Sequence, residues 1–299
     1  MHINDVEIVD TFAEAFKMYG ARVLVTAINE EWALNSAVTM AGFGTSVIMC
    51  GCEAGIEETT NDTPDGRPGV NVLIFANSAK DLGKQLMKRI GQCVMTSPTS
   101  ACFNNIKGKK EFVVGGQLRY FGDGFQIPKR FNPTPDHPKG RRFWRIPVMG
   151  GEFFCEEKFQ AKKAMGGGNF LIIGTGIEPV IKASEKAVEA IRKVKGVIAP
   201  FPGGVVRSGS KVGSQYKFLT ASTNTAYCPS VKSMTDSNLT AEENSVLEIV
   251  IDALDLDAMN TAMHDGIHAA CTVKGVTRIS AGNYGGNLGK YIINLKEVI

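Results

Sequence analysis

Apolar positions along the chain repeat one plan four times: an apolar strand, an amphipathic helix and a second strand. The first unit reads strand 22–26, a helix from about Asn29 to Met40 with Asn29 as N-cap, and a closing strand 45–50. The second opens at Gly69 with strand 70–75. Its helix, about 79–90, carries Leu82, Leu86 and Ile90 at four-residue spacing, and a strand near 93–96 stops before Pro98. The third opens with strand 169–173. Its helix, about 179–194, places Val180, Ala187, Ile191 and Val194 on one stripe, and segment 197–199 is stopped by Pro200 and Pro202. The fourth has strand 245–251, a helix of about 255–270 with Leu256, Met259, Met263, Ile267 and Ala270 on one face, and strand 276–280. A short strand, 6–8, and a helical turn starting at Asp10 or Thr11 precede them; Thr11 and Glu14 have capping-box spacing.

The second and third units share a Gly-led strand, an amphipathic helix and a short strand ending at proline, which suggests an internal duplication. Two units per half fit the split β-α-β plan of ferredoxin-like domains. The expected class is α+β, with two ferredoxin-like lobes at 1–147 and 148–299. The stretch from Ile127 to Pro147, with five prolines, reads as a linker or an exposed excursion, and 228–244 as an irregular polar segment.

The strand at 245–251 stands out. Val246, Glu248 and Val250 share one face; Leu247, Ile249 and Ile251 share the other. Both faces are apolar, so the strand reads as covered on both sides, with a carboxyl among valines. A buried carboxyl finds a partner or keeps its proton, which is the state needed for acid or base work near neutral pH. An edge strand with Glu248 facing solvent is the plain alternative.

Composition narrows the field. The 299 residues are 43% apolar and 21% charged, and 33 basic against 30 acidic side chains leave +3, with no basic run to track phosphates. Nucleic acid is not an expected partner. Seven scattered cysteines, with Cys50 and Cys52 the only close pair, read as reduced thiols. The N-terminus has no secretory pattern, and no apolar stretch reaches the roughly 20 residues that span a bilayer, so no membrane partner is expected.

Four glycine clusters mark turns or ligand-cradling loops: 42–45, 166–169, 202–204 and 282–289. None has the order of a P-loop or a dinucleotide fingerprint. The last adds Asn283 and Tyr284 to four glycines, more than a turn needs. His264 and His268 have metal-ligand spacing on a helix, but they lie off the apolar stripe with no intervening glutamate; a solvated face is the better reading. No histidine joins a serine or cysteine in a nucleophile motif. Arg67, in the turn 63–69, is placed to hold an anion or simply to lead into the next strand.

Together these clusters resemble the formylmethanofuran–tetrahydromethanopterin formyltransferase family. The likeness spans nearly the whole chain: 10–16, 42–50, 63–69, 89–94, 167–170, 200–204, 248–251 and 279–286. It implies a cytoplasmic enzyme of one-carbon metabolism that moves a formyl group reversibly between methanofuran and N5 of tetrahydromethanopterin. The two coenzymes are co-substrates, no metal is used, and the protein is a homo-oligomer, typically a tetramer. The family's buried glutamate maps onto Glu248 as the catalytic residue. The resemblance implies Thr45, Ser46, Glu53, Arg67, Asn169, Phe201, Gly203, Lys211, Asn283 and Tyr284 as substrate-binding, with Arg67, Lys211 and Lys290 toward acidic coenzyme tails. Glycine-loop N–H groups or a protonated carboxyl would stabilise the oxyanion. The sequence departs from the family pattern at Cys52, Gly150, Arg207 and Asn287. The same resemblance allows a transferase subunit of a bacterial formyltransferase/hydrolase complex, or a binding paralogue.

Overall fold

A computed structural model describes residues 1–133 and 140–299. Pro135, His137 and Pro138 lie outside the described residues. The chain forms two compact units, Met18–Ala164 and Met1–Lys17 with Met165–Ile299. Residues 1–17 and 148–164 thus group differently from a cut after 147, because the long strands Phe12–Thr26 and Lys158–Gly174 each give one part to either unit.

Each unit contains one β-α-β-β-α-β repeat. In the unit containing the C-terminal half, the order across the sheet is Val276–Ser280, the 165–174 part of Lys158–Gly174, Ser245–Ala253, then Val197–Ile198, each antiparallel to its neighbour. That is the ferredoxin-like order. Val6–Ile8 adds on in parallel beside Val276–Ser280, and Tyr291–Asn294 pairs with residues 12–15. In Met18–Ala164 the order is Glu53–Thr60, Gly69–Ala76, the 18–26 part of Phe12–Thr26, then Ala101–Asn104, again antiparallel throughout. Gly151–Glu156 extends this sheet in parallel, followed by Arg141–Val148 and Ile127–Phe131.

The helices form where the pattern places them. Asn29, Ser78 and Asp255 each accept a backbone N–H of the first turn, the N-cap bond that Asn, Ser and Asp make best. Leu256–Ala270 and Ile177–Ile191 bury Met259, Met263, Ile267, Val180, Ala187 and Ile191 against Phe170, Ile172, Leu247, Ile249 and Ile251. Each of the larger side chains, Ala187 aside, contributes about 1.5–3 kcal/mol on burial.

Three sequence expectations change. The turn at 10–14 is strand, because Phe12–Thr26 runs unbroken. Residues 45–50 are not the closing strand of the first unit. Val47–Cys50 is a short helix capped by Ser46, Gly51 turns at φ 77°, and the strand is Glu53–Thr60. Likewise 93–94 end a π-turn, Ile90–Val94, that continues the preceding helix, 95–96 turn out of it, and the strand comes after Pro98 at Ala101–Asn104. Of the two readings of the proline-rich stretch, the exposed excursion fits: its flanks, Ile127–Phe131 and Arg141–Val148, pair as a hairpin whose first strand is exposed throughout.

Register brings out a parallel between the units. Leu171 lies opposite Glu248, and Leu24 lies opposite Asn71. Both pairs sit on the sheet face turned away from their unit's helices. In Met18–Ala164 that face is sealed by Phe103 and Phe143, with Phe154 stacked on Phe143 at 5.0 Å. Asn71 is buried there, its Oδ1 accepting from Asn105 Nδ2 at 2.8 Å.

Candidate active site

The face of Ser245–Ala253 that carries Glu248 is half-buried at Val246, Glu248 and Val250, whereas Leu247, Ile249 and Ile251 are buried in the core. The strand is therefore covered by helices on one side only. The other side opens into a cavity of about 830 Å³. The segment that covers it is tied down at both ends. Val206 and Glu248 exchange backbone hydrogen bonds of 2.8 and 3.0 Å. At the far end Arg278 donates to both oxygens of Glu243, at 2.7 and 2.6 Å. Burial pushes the Glu243 carboxyl up, but Arg278, the Thr240 N–H and Thr277 hold it below the ordinary value. The Glu243 side chain is 2% exposed, so Arg278→Met strands a buried charge. We expect a loss of about 3–5 kcal/mol in chemical denaturation.

Glu248, Asn169, Lys211, Asn283 and Tyr284 all line the cavity. Glu248 is the one carboxyl in its wall among the described residues; Arg207 and Lys211 are the cations. No described group donates a hydrogen bond to the Glu248 carboxyl. Burial alone pushes its pKa up to about 7. Lys211 Nζ donates to Thr225 Oγ1 at 2.8 Å. Burial also pushes the Tyr284 phenol up, helped by the negative charges of Glu248 and Glu14, so it keeps its proton.

The loop 282–289 is held by a residue that sequence reading missed. Glu14 is fully buried and accepts four backbone N–H groups: Tyr284 and Gly286 at 2.6 Å each on one oxygen, Gly289 at 2.7 Å and Leu288 at 3.0 Å on the other. Gly285 and Gly286, at φ 70° and 77°, turn the backbone so that these donors converge. Burial pushes the Glu14 carboxyl up; the four donors outweigh it, and its pKa lies below the ordinary value. Two more of the loop's N–H groups are engaged: Gly282 donates to Asn169 Oδ1 at 2.7 Å and Gly285 to Asn283 Oδ1 at 3.1 Å. Hence these glycine-loop N–H groups are committed inside the protein and do not form an oxyanion hole. A signal for Glu14 was present, since Phe12, Glu14 and Phe16 alternate as Val246, Glu248 and Val250 do.

The remaining expected residues lie elsewhere. Phe201 and Gly203 flank or form the turn Pro202–Gly204 and do not line the cavity. Thr45, Ser46, Glu53 and Arg67 belong to Met18–Ala164. There Thr45 contacts Cys50 Sγ at 3.3 Å, Ser46 caps Ile48, and Glu53 accepts the Val47 N–H at 3.1 Å. Arg67 is pinned within its turn by Asp65, Thr26 and the Thr99 carbonyl. Lys290 is exposed. His264 and His268 stand on the outer face of their helix.

Two ferredoxin-like repeats and a polar cavity whose wall, among the described residues, holds one carboxyl without a donor define an α+β fold with a candidate acid–base site. Family comparison makes this specific. The model described as "Formylmethanofuran-tetrahydromethanopterin formyltransferase" matches residues 1–148, and that of its "proximal lobe" matches 151–298. The chain belongs to this formyltransferase family. It is 55% identical over 304 residues to the formylmethanofuran–tetrahydromethanopterin formyltransferase of Methylococcus capsulatus, covering 100% of both chains. It is 48% identical to one of the subunits of the formyltransferase/hydrolase complex of Methylorubrum extorquens, covering 99% of this chain and 97% of that one. Among solved structures, it is similar to a chain of the M. extorquens formyltransferase/hydrolase complex with methylofuran bound. The TM-score is 0.96 at 47% identity, covering 100% and 98% of the two chains. The Methanosarcina barkeri formyltransferase gives a TM-score of 0.93, also at 47%, covering 100% of both chains.

Proposed function

We propose that the chain transfers a formyl group between formylmethanofuran and N5 of tetrahydromethanopterin, with Glu248 as the acid and base. The observation that carries this reading is the Glu248 carboxyl: unpartnered, in the wall of a large polar cavity, and raised to about 7 by burial. Attack of N5 on the formamide carbon gives a tetrahedral oxyanion. An amine departs readily only when protonated, so the neutral carboxyl delivers its proton to the methanofuran nitrogen as the C–N bond breaks. The proton on N5 returns to the carboxylate. The carboxyl ends the cycle as it began, which suits a reversible transfer. Asn169, Lys211, Asn283 and Tyr284 are assigned to substrate contact on their place in the cavity wall.

The family resemblance supports lobes at 1–147 and 148–299. It also supports a cytoplasmic homotetramer that uses the two coenzymes as co-substrates and no metal. A second reading, the transferase subunit of a formyltransferase/hydrolase complex, is favoured by the TM-score of 0.96 to a chain of such a complex. Incubating the pure protein with formylmethanofuran and tetrahydromethanopterin tests the first reading: the N5-formyl product forms without a partner protein. If it forms only after a hydrolase partner is added, the second reading holds. If it forms in neither case, both fail.

A further inference from the structure

Outside the cavity, the helix Leu256–Ala270 carries two imidazoles one turn apart. His264 and His268 occupy i and i+4, so they project from one face. Their ring centroids are 4.3 Å apart and the planes are inclined by 35°. The opposite face of the helix is locked in the core by Met259, Met263 and Ile267, so the two side chains stand on a rigid base.

The neighbouring carboxylate adds what spacing alone does not show. His264 Nδ1 lies 3.0 Å from Asp265 Oδ1. An ionised carboxylate only accepts, so Nδ1 is the donor in this contact and Nε2 is the nitrogen left to face an ion. A carboxylate on the far nitrogen is the arrangement that orients metal-binding histidines and raises their basicity. The His264 and Asp265 side chains are 47% and 43% exposed, so an ion reaches them from solvent.

We propose that His264 and His268 form a two-nitrogen site for a late first-row divalent cation, with Asp265 as the positioning residue and water completing the coordination shell. Imidazole pairs suit nickel, copper and zinc, whereas magnesium and calcium take oxygen ligands. No cluster of three or more potential ligands stands among the described residues, so the bound ion keeps solvent positions and exchanges freely.

Equilibrium dialysis of the full-length protein against Ni²⁺ alone tests this. The native protein is expected to take up one equivalent that His264→Gln/His268→Gln lacks. Each single substitution should weaken uptake at least tenfold, and Asp265→Asn, which keeps both ligands, by about 10–100-fold. All these positions are on the exposed face, so thermal unfolding without metal should be unchanged. Cys50 and Cys52 also attract metal ions, and the difference between native protein and double variant removes their share. Equal nickel uptake by both, or none by the native protein, overturns the site. Unchanged affinity in Asp265→Asn overturns the role of that residue.

Discussion

Glu248→Gln is expected to lower formyl transfer at pH 7 by about 10²–10⁴-fold while the protein stays folded. Glutamine keeps the shape and loses the transferable proton. In the native enzyme the carboxyl is protonated below about pH 7 and ionised above it. Transfer that needs the acid therefore falls as pH rises through that value, and the residual rate of Glu248→Gln should lack this limb. Stability gives an independent readout with a defined sign. In the unfolded chain a glutamate titrates near 4.3. Between that value and about 7 the folded state binds one proton more than the unfolded state, so stability declines as pH rises across the window. Above the window, folding carries the cost of an unpartnered carboxylate. Glutamine removes this cost, so Glu248→Gln should melt higher than the native protein at pH 8 and close to it at pH 4. A variant that melted lower at pH 8 would mean that a partner holds the carboxyl, and the acid role would fail with it.

The second large effect concerns Glu14. Substitution by glutamine removes the charge and turns an amide NH₂ toward two of the four N–H groups that now converge on the carboxylate. Charge-assisted bonds are lost and donors are left facing donors. A net cost of about 3 kcal/mol is expected. Because the partners all lie in 284–289, most of the loss should appear as local opening. Exchange of the Tyr284, Gly286, Leu288 and Gly289 amides should accelerate about 10²-fold in Glu14→Gln, the rate equivalent of that energy. Asn283 and Tyr284 lose their fixed place in the cavity wall, so KM should rise even though Glu14 does not line the cavity. The native carboxyl is held below its ordinary value, so its contribution is present above the unfolded pKa and is lost as pH falls through the folded one. The loop should stay protected at pH 5 and loosen only in stronger acid. Unchanged amide exchange in Glu14→Gln would show that the glycine-rich loop holds its shape without the carboxylate.

Elements with strong periodicity were legible in the sequence. Both helices of each repeat and the strand of Glu248 were visible from apolar spacing, and the start of the first helix also from its cap, Asn29. The closing strands of the Met18–Ala164 repeat were not, for a local reason. The run 45–50 has strand-like composition, but Ser46 accepts the Ile48 N–H and Glu53 accepts the Val47 N–H, and these caps favour a helical turn. Residues 93–94 were drawn into the preceding helix by one extra turn of π geometry, and 95–96 turn out of it. The cavity was half legible. Glu248 and the 282–289 loop carried visible signatures, whereas the link between that loop and Glu14 spans about 270 residues of chain, beyond any local pattern. Arg67 illustrates the converse. Its guanidinium chemistry suited an anion, yet nearby acceptors within its own unit take up its donors.

The matched positions of Glu248 and Asn71 have a consequence for stoichiometry. A scaffold made of two equal repeats offers two equivalent sheet faces, and with them two places to react. Here one face holds a carboxyl open to a cavity, and the other holds a neutral amide that is buried and hydrogen-bonded to Asn105. Asn71 cannot release a proton at any physiological pH. With Glu248 as the acid, as proposed above, each chain is expected to turn over one substrate pair at a time despite its doubled architecture, and titration of active sites should count one per chain.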